Sequence, residues 1–152
     1  MTLLDPDTDL RGLLATAPVI APRELEGSSL AETLDRNGRA ILADLSFATG
    51  SAELDAVPFA SLEMLADYLA AHPDRKITLV GHTDTAGSLE ANIDLSRARA
   101  RSVKDRLVNV FGIPAAQLDA DGVGYLMPLA SNLTDDGRAT NRRVEAVLTV
   151  IE

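Results

Sequence analysis

The sequence predicts an α/β two-layer sandwich of the α+β kind, in which helices cover one face of a mixed four-stranded sheet. Segments with an apolar period of two alternate along the chain with segments of helical period, which is the pattern of strands and helices sharing one core. Apolar residues make up 46% of the 152 residues, enough to fold one domain without metals or disulfides. Aromatic residues are only 3%, so the core is expected to be aliphatic, with Phe47, Phe59 and Phe111 as scarce large fillers.

The elements follow in order. Residues 1–28 are acidic and punctuated by Pro6, Gly12, Pro18, Pro22 and Gly27, a composition that favours turns and an extended path. A short lead-in helix follows over 28–38, with Ser29 as cap, Glu32 as its capping-box partner and Gly38 as stop. Together, 1–38 form an expected N-terminal extension, and 39–152 the domain proper. From Arg39 a strand places Ile41, Ala43, Leu45 and Phe47 on one apolar face. Thr49, Gly50 and Ser51 end it. Pro58 suits a first helical turn, and Phe59, Leu62, Met64, Leu65, Tyr68 and Leu69 give an amphipathic helix that Pro73 stops. Residues 76–82 make a second strand, 118–123 a third, and 141–151 a fourth in which Val144, Ala146, Leu148 and Val150 alternate with Arg143, Glu145, Val147 and Thr149. Residues 125–140 read as loop.

Between the second and third strands lies GHTDTAGSLEANIDLSRARA, residues 81–100. It holds an acid, Asp84, and an arginine, Arg99, without a nucleophile. On a continuous helix from Ser88, Arg99 would lie about 16 Å from the helix start at roughly 1.5 Å per residue, and the pair would be separate. With Ser96 as the cap, Arg99 falls in the first turn of a helix over 96–111, and 85–95 loop back over it. Gly87, Asn92 and Asp94 weaken a continuous helix and favour the second parsing. The buried stripe is then Ala100, Val103, Leu107, Val110 and Phe111, with Arg99 at its edge and Arg97, Arg101 and Lys104 in solvent. A carboxylate beside a guanidinium fork and free helix N–H groups suits an ammonium and a carboxylate on one small ligand. The alternative use of the pair is a structural salt bridge. Arginine in a first helical turn opposes the helix dipole, which tilts the reading towards ligand binding.

Other classes are set aside by what the chain contains. A net charge of −9 opposes binding to a phosphate backbone, so nucleic acid is not an expected partner. There is no cysteine, which removes disulfides, thiolate metal sites and thioether lipidation from the chain as given. Residues 13–22, LLATAPVIAP, are too short, too proline-broken and too acidic in their approach to be a membrane span or a leader. The protein is therefore expected either in the cytosol or as a chain whose leader has been cut away. His82 and Asp84 form an H-x-D pair without a third convergent ligand; His72 reads as a surface residue and His82 as a strand-end structural one. Ser51, Ser88, Ser96 and Ser102 lie in no nucleophile elbow. No enzyme, no metal and no cofactor is expected.

The stretch GHTDTAGSLEANIDLSRARARSV together with GRATNRRVEAVL, residues 137–148, resembles the OmpA-like peptidoglycan-binding domain of OmpA, Pal and MotB proteins, over about residues 42–151. The resemblance implies a βαβαβ-type fold that binds the diaminopimelate residue of the cell-wall stem peptide without a covalent bond. It implies that Asp84 takes that residue's ammonium group and Arg99 its carboxylate. Asn92 matches a pocket-lining position, flanked by Thr83 and Leu95, and Phe47, Thr49 and Gly50 match the opposite wall. Arg143 belongs to the NRRVE motif and completes the expected ligand-binding set. Ala48 and Ala86 depart from polar residues found at those places in relatives, which bears on affinity and selectivity. The implied setting is the periplasm, in association with the outer membrane. A second possible role is a protein-interaction module that meets an envelope partner through the N-terminal extension.

Overall fold

The computed structural model describes residues 21–150, with side chains from Ser29 to Thr149. Four strands form one sheet: β1 (Arg39–Ile41), β2 (Lys76–Gly81), β3 (Leu118–Gly122) and β4 (Val144–Val150). Their spatial order is β1-β4-β2-β3. β4 runs antiparallel to β1 and to β2, whereas β2 and β3 are parallel, so the sheet is mixed as expected. The parallel pair needs a long crossover, which α3 (Leu89–Asn109) supplies. The remaining helices are α1 (Ala21–Asn37), α2 (Ala60–Ala71) and α4 (Asp135–Asn141).

Helices cover one sheet face. Ala40, Ile77, Leu79, Val144 and Ala146 point inward from the strands and meet Leu30 and Leu34 of α1, Leu62, Leu65 and Leu69 of α2, and Ala100, Val103 and Leu107 of α3 in one core cluster. The alternation of strand side chains makes this one-sided core possible. Among the described residues no helix is long and apolar enough to cross a membrane.

Several elements differ from their sequence expectation. The first strand stops at Ile41, and Ala40, Leu42, Leu45 and Phe47 are buried while Ala43 is exposed. A turn in which the Leu45 N–H donates to the Leu42 carbonyl resets the alternation. It also turns Asp44 to cap α2, accepting from the Ser61 N–H at 3.0 Å. The amphipathic face of α2 is as expected, although the helix begins after Pro58 and Phe59. Where 125–140 read as loop, α4 occupies the end of the segment. Its cap is Thr134, accepting from Gly137 N–H at 3.0 Å, and its first turn carries Asp135 and Asp136. Seven residues are too few to display a helical apolar stripe. Asn141 and Arg142 therefore end a helix and do not begin the last strand.

The lead-in helix is longer than expected. Residues 21–28 are helical where an extended path was expected, and the helix breaks at Ser29, whose φ of 64° is rare for a residue with a side chain. Ser29 Oγ nonetheless accepts from the Glu32 N–H at 3.2 Å, the expected cap. Leu30 and Leu34 are fully buried, and Asp35 accepts from both Tyr68 Oη and Arg75 Nη1, so this half of α1 is fastened to the domain. Residues 1–20, with most of the apolar stretch and the expected partner-binding extension, lie outside the described residues.

Candidate functional site

Ser96 is not a helix cap. α3 runs unbroken from Leu89, and its cap is Ser88, whose Oγ accepts from the Ala91 N–H at 3.1 Å. Asn92, expected to weaken the helix, strengthens its entry: its Nδ2 donates to the Ala86 and Ser88 carbonyls at 2.8 and 2.9 Å. Ser96 lies buried in mid-helix, its Oγ accepting from the Gly124 N–H. The strand ends press directly on it, since a Cβ added at Gly81 would lie 1.9 Å from the Ser96 carbonyl oxygen and one at Gly122 2.1 Å from Ser96 Oγ. Two glycines thus let the middle of α3 sit against the C-terminal ends of β2 and β3. The helix start overshoots the sheet, and Arg99, one turn beyond Ser96, arrives beside the segment His82–Asp84. Distance from the helix start was the wrong measure, because Asp84 faces the middle of the helix.

Arg99 is completely buried. Its Nε donates to the Ser51 carbonyl at 2.8 Å, Nη1 to the His82 carbonyl at 3.0 Å and Nη2 to the Ala48 carbonyl at 2.9 Å. Its guanidinium carbon also lies over the Phe47 ring, 5.1 Å from the centroid. The left-handed Gly50, φ 75°, makes the tight turn that brings the Ala48 and Ser51 carbonyls to it. Burial lowers the Arg99 pKa to about 10, with Asp84 opposing the shift and Arg142 adding to it, so the group stays cationic at neutral pH.

Asp84 is bound by a residue the sequence reading passed over. Arg142 Nη1 donates to Asp84 Oδ2 at 2.8 Å, while the Ala86 N–H donates to Oδ1 at 3.1 Å. Burial raises the Asp84 pKa, but the Ala86 N–H, Arg142 and Arg99 outweigh it and hold the carboxyl below its ordinary range. Arg142 Nε also donates to the Phe47 carbonyl at 2.9 Å, tying α4 to the β1–α2 wall. The site thus joins Asp84, Arg99 and Arg142 over Phe47, rimmed by the exposed Ala48, Thr49 and Gly50 and by exposed 85–88. Leu95 is half-buried on α3, and Thr83 is buried with its hydroxyl donating to the Asp84 carbonyl.

Arg143 lies elsewhere. It shares the outer sheet face with Glu145, two residues on, and donates to Glu145 Oε2 through Nε at 2.8 Å, with Nη2 2.7 Å from the same oxygen as an ion-pair contact. His82 Nε2 lies 3.6 Å from the same oxygen. Burial, with the Arg143 charge, lowers the His82 pKa to about 4 against the opposing pull of Glu145, so the ring is neutral at pH 7. Arg143 beside this pair repels any cation, and among the described residues no group of three or more His, Cys, Asp or Glu is placed to hold a metal. His72 Nδ1 contacts the Tyr68 carbonyl at 2.9 Å, at the end of α2. A separate groove of about 430 Å³, lined by Val57, Phe59, Arg106 and Val110 among others, includes none of the site residues. Val110, expected in the buried stripe, is exposed there. The pattern NRR names two arginines without saying which one meets Asp84, and because Arg142 is the C-cap of α4 and lies before β4, strand alternation does not settle it.

A sequence profile of the OmpA family matches residues 46–142. Outer membrane porin F of Pseudomonas aeruginosa is 37% identical over 121 residues, covering 75% of this chain and 35% of that protein. Peptidoglycan-binding protein ArfA of Mycobacterium tuberculosis is 41% identical over 104 residues, covering 68% of this chain and 32% of its own length. The chain therefore spans about a third of the length of these relatives. Among solved structures, the peptidoglycan-associated lipoprotein of Burkholderia pseudomallei superposes with a TM-score of 0.66 at 28% identity, covering 82% of this chain and 98% of that one. The cell wall anchor of the type VI secretion system (T6SS) of Pseudomonas aeruginosa gives 0.59 at 30% identity, covering 80% and 94%.

Proposed function

Since the chain belongs to the OmpA family, we propose that it binds peptidoglycan non-covalently through the diaminopimelate residue of the stem peptide, and so anchors an envelope component to the wall. The free end of that residue carries one ammonium and one carboxylate. The observation that carries the reading is a carboxylate of lowered pKa, Asp84, bonded to the Arg142 guanidinium and acted on by the nearby Arg99 charge, beside exposed loops. Asp84 has lone pairs beyond those used by Ala86 and Arg142, and these receive the ammonium group. The cationic pole receives the carboxylate. Phe47, Thr49 and Gly50 form one wall, and Asn92, Thr83 and Leu95 support the other. The domain is a binding module and not an enzyme, and relatives whose names specify wall binding or anchoring support that reading. Its place of action is then the periplasm, in association with the outer membrane.

Co-sedimentation with purified sacculi tests the proposal. The wild-type chain is expected in the pellet. Asp84→Asn and Arg99→Ala are expected in the supernatant, with circular dichroism reporting whether each is folded. Folded variants that pellet as wild type would overturn the assignment of the site.

A further inference from the structure

We infer that the loop between β3 and α4 is a docking surface for another protein, one that presents an apolar face flanked by Lys or Arg. Six large apolar side chains stand exposed among the described residues. Val57 and Val110 belong to the groove beside α2, and the other four, Leu126, Met127, Leu129 and Leu133, fall within residues 126–133. Leu133 is 90% exposed. None of the four joins the core cluster. The backbone that carries them is nonetheless fixed. Arg143 Nη2 donates to the Met127 carbonyl, and the fully buried Asn141 accepts from the Leu129 and Ala130 N–H groups while donating to the Ala130 carbonyl and to Asn132 Oδ1. Arg138 Nη1 donates to the Asn132 carbonyl, and Ser131 Oγ accepts from the Leu133 N–H. Gly137 presses on the same turn so closely that a Cβ there would lie 1.8 Å from the Ser131 carbonyl oxygen. A loop held by this many hydrogen bonds that still leaves four large apolar side chains in water is pre-organised for an apolar partner.

Charge decides what that partner is. From Asp119 to Gly137 the only charged residues are acids, Asp119, Asp121, Asp135 and Asp136. Lys76 and Arg97 pair with the first two and Arg138 with Asp135, whereas Asp136, exposed in the first turn of α4, meets no cation among the described residues. An anionic lipid surface would be repelled by these acids together with the net charge of −9. A second copy docking through the same loop would bring Asp135 and Asp136 against their own images, which costs affinity. A different protein with apolar anchors and basic flanks satisfies both the side chains and the acids. No residue of the loop belongs to the Asp84 site.

Titration of the full chain with a synthetic amphipathic helix of Leu and Lys, and with its Leu–Glu counterpart, tests the assignment. Wild type is expected to bind the Leu–Lys peptide about tenfold more tightly than the Leu–Glu one, or better. Leu133→Ser combined with Met127→Ser should weaken the Leu–Lys complex about tenfold, and Asp135→Asn combined with Asp136→Asn about threefold, the second effect shrinking in high salt. Val110→Ser, in the separate groove, should bind as wild type. Every side chain changed is exposed, and circular dichroism checks that each variant is folded. Failure of wild type to bind the Leu–Lys peptide, equal affinity for the two peptides, undiminished affinity in the Leu133 and Met127 double variant, or loss of affinity in Val110→Ser would overturn the inference. So would flotation with vesicles of phosphatidylethanolamine and phosphatidylglycerol that the double variant abolishes, which would make the loop a lipid contact. A dimer in sedimentation velocity that the double variant dissociates would overturn it in favour of a contact between copies.

Discussion

Two arginine–carboxylate clusters flank the end of β2, built from adjacent arginines, and they differ in how completely they are closed. Arg143 and Glu145 have side chains 7% and 3% exposed, and Arg143 spends its remaining donors on the Met127 and Asn141 carbonyls. Arg142 and Asp84 stand at 18% and 5%, rimmed by exposed loops, with Arg99 behind them. In the first cluster every Arg143 nitrogen is hydrogen-bonded internally, as a buried ion pair needs if it is to be tolerated, and only the neutral His82 ring beside it lacks a partner. The second keeps one donor and several lone pairs in reserve. A closed cluster holds structure together, whereas an incompletely satisfied one has capacity left for a ligand.

The largest expected effect is on the closed cluster. Glu145→Ala leaves Arg143 buried without its counter-ion and should lower unfolding free energy by about 3–5 kcal/mol in chemical denaturation, while any folded fraction still binds. Equal stability would mean that the cluster is less closed than its geometry indicates. On the open cluster, Asp84→Ala should reduce wall-peptide binding by about 3 kcal/mol in calorimetric titration. The fold should suffer less, because Arg142 is part-exposed and can turn to water, and the buried Arg99, which loses its counter-charge, keeps its three carbonyl acceptors.

Acid should act on the closed cluster next. The folded His82 pKa of about 4 lies below the unfolded value of 6.5. Between those values the unfolded chain binds more protons, so stability is full above about pH 6.5 and falls as pH drops towards 4, by about 2–3 kcal/mol in all. His82→Gln should flatten that part of the profile, and an unchanged slope would remove His82 as its cause. The smallest effect belongs to Arg39, whose side chain is 56% exposed and 3.7 Å from Glu145. Arg39→Ala should change stability by less than about 1 kcal/mol.

Most of the sheet and the amphipathic faces of α2 and α3 were legible, because each presents enough residues for its period to show. Ala100, Val103 and Leu107 are buried and Arg97 and Arg101 exposed, as the helical wheel required. What escaped was decided by single tertiary contacts. Ser96 resembled a cap since its burial between Gly81 and Gly122 leaves no local trace. The short β1 depended on Asp44 reaching α2, and α4 on one threonine cap. Within the site, Asp84 and Arg99 were visible as an isolated acid and an arginine at the edge of an apolar stripe. Arg142 was not, since its pairing with Asp84 spans 58 residues of sequence.

The contrast between the clusters is tested most directly by measuring stem-peptide affinity and unfolding free energy together on Asp84→Ala and Glu145→Ala. The first variant is expected to lose binding and keep its fold, and the second to lose stability while its folded molecules keep wild-type affinity. Wild-type affinity in a folded Asp84→Ala protein, or loss of affinity in folded Glu145→Ala, would contradict it.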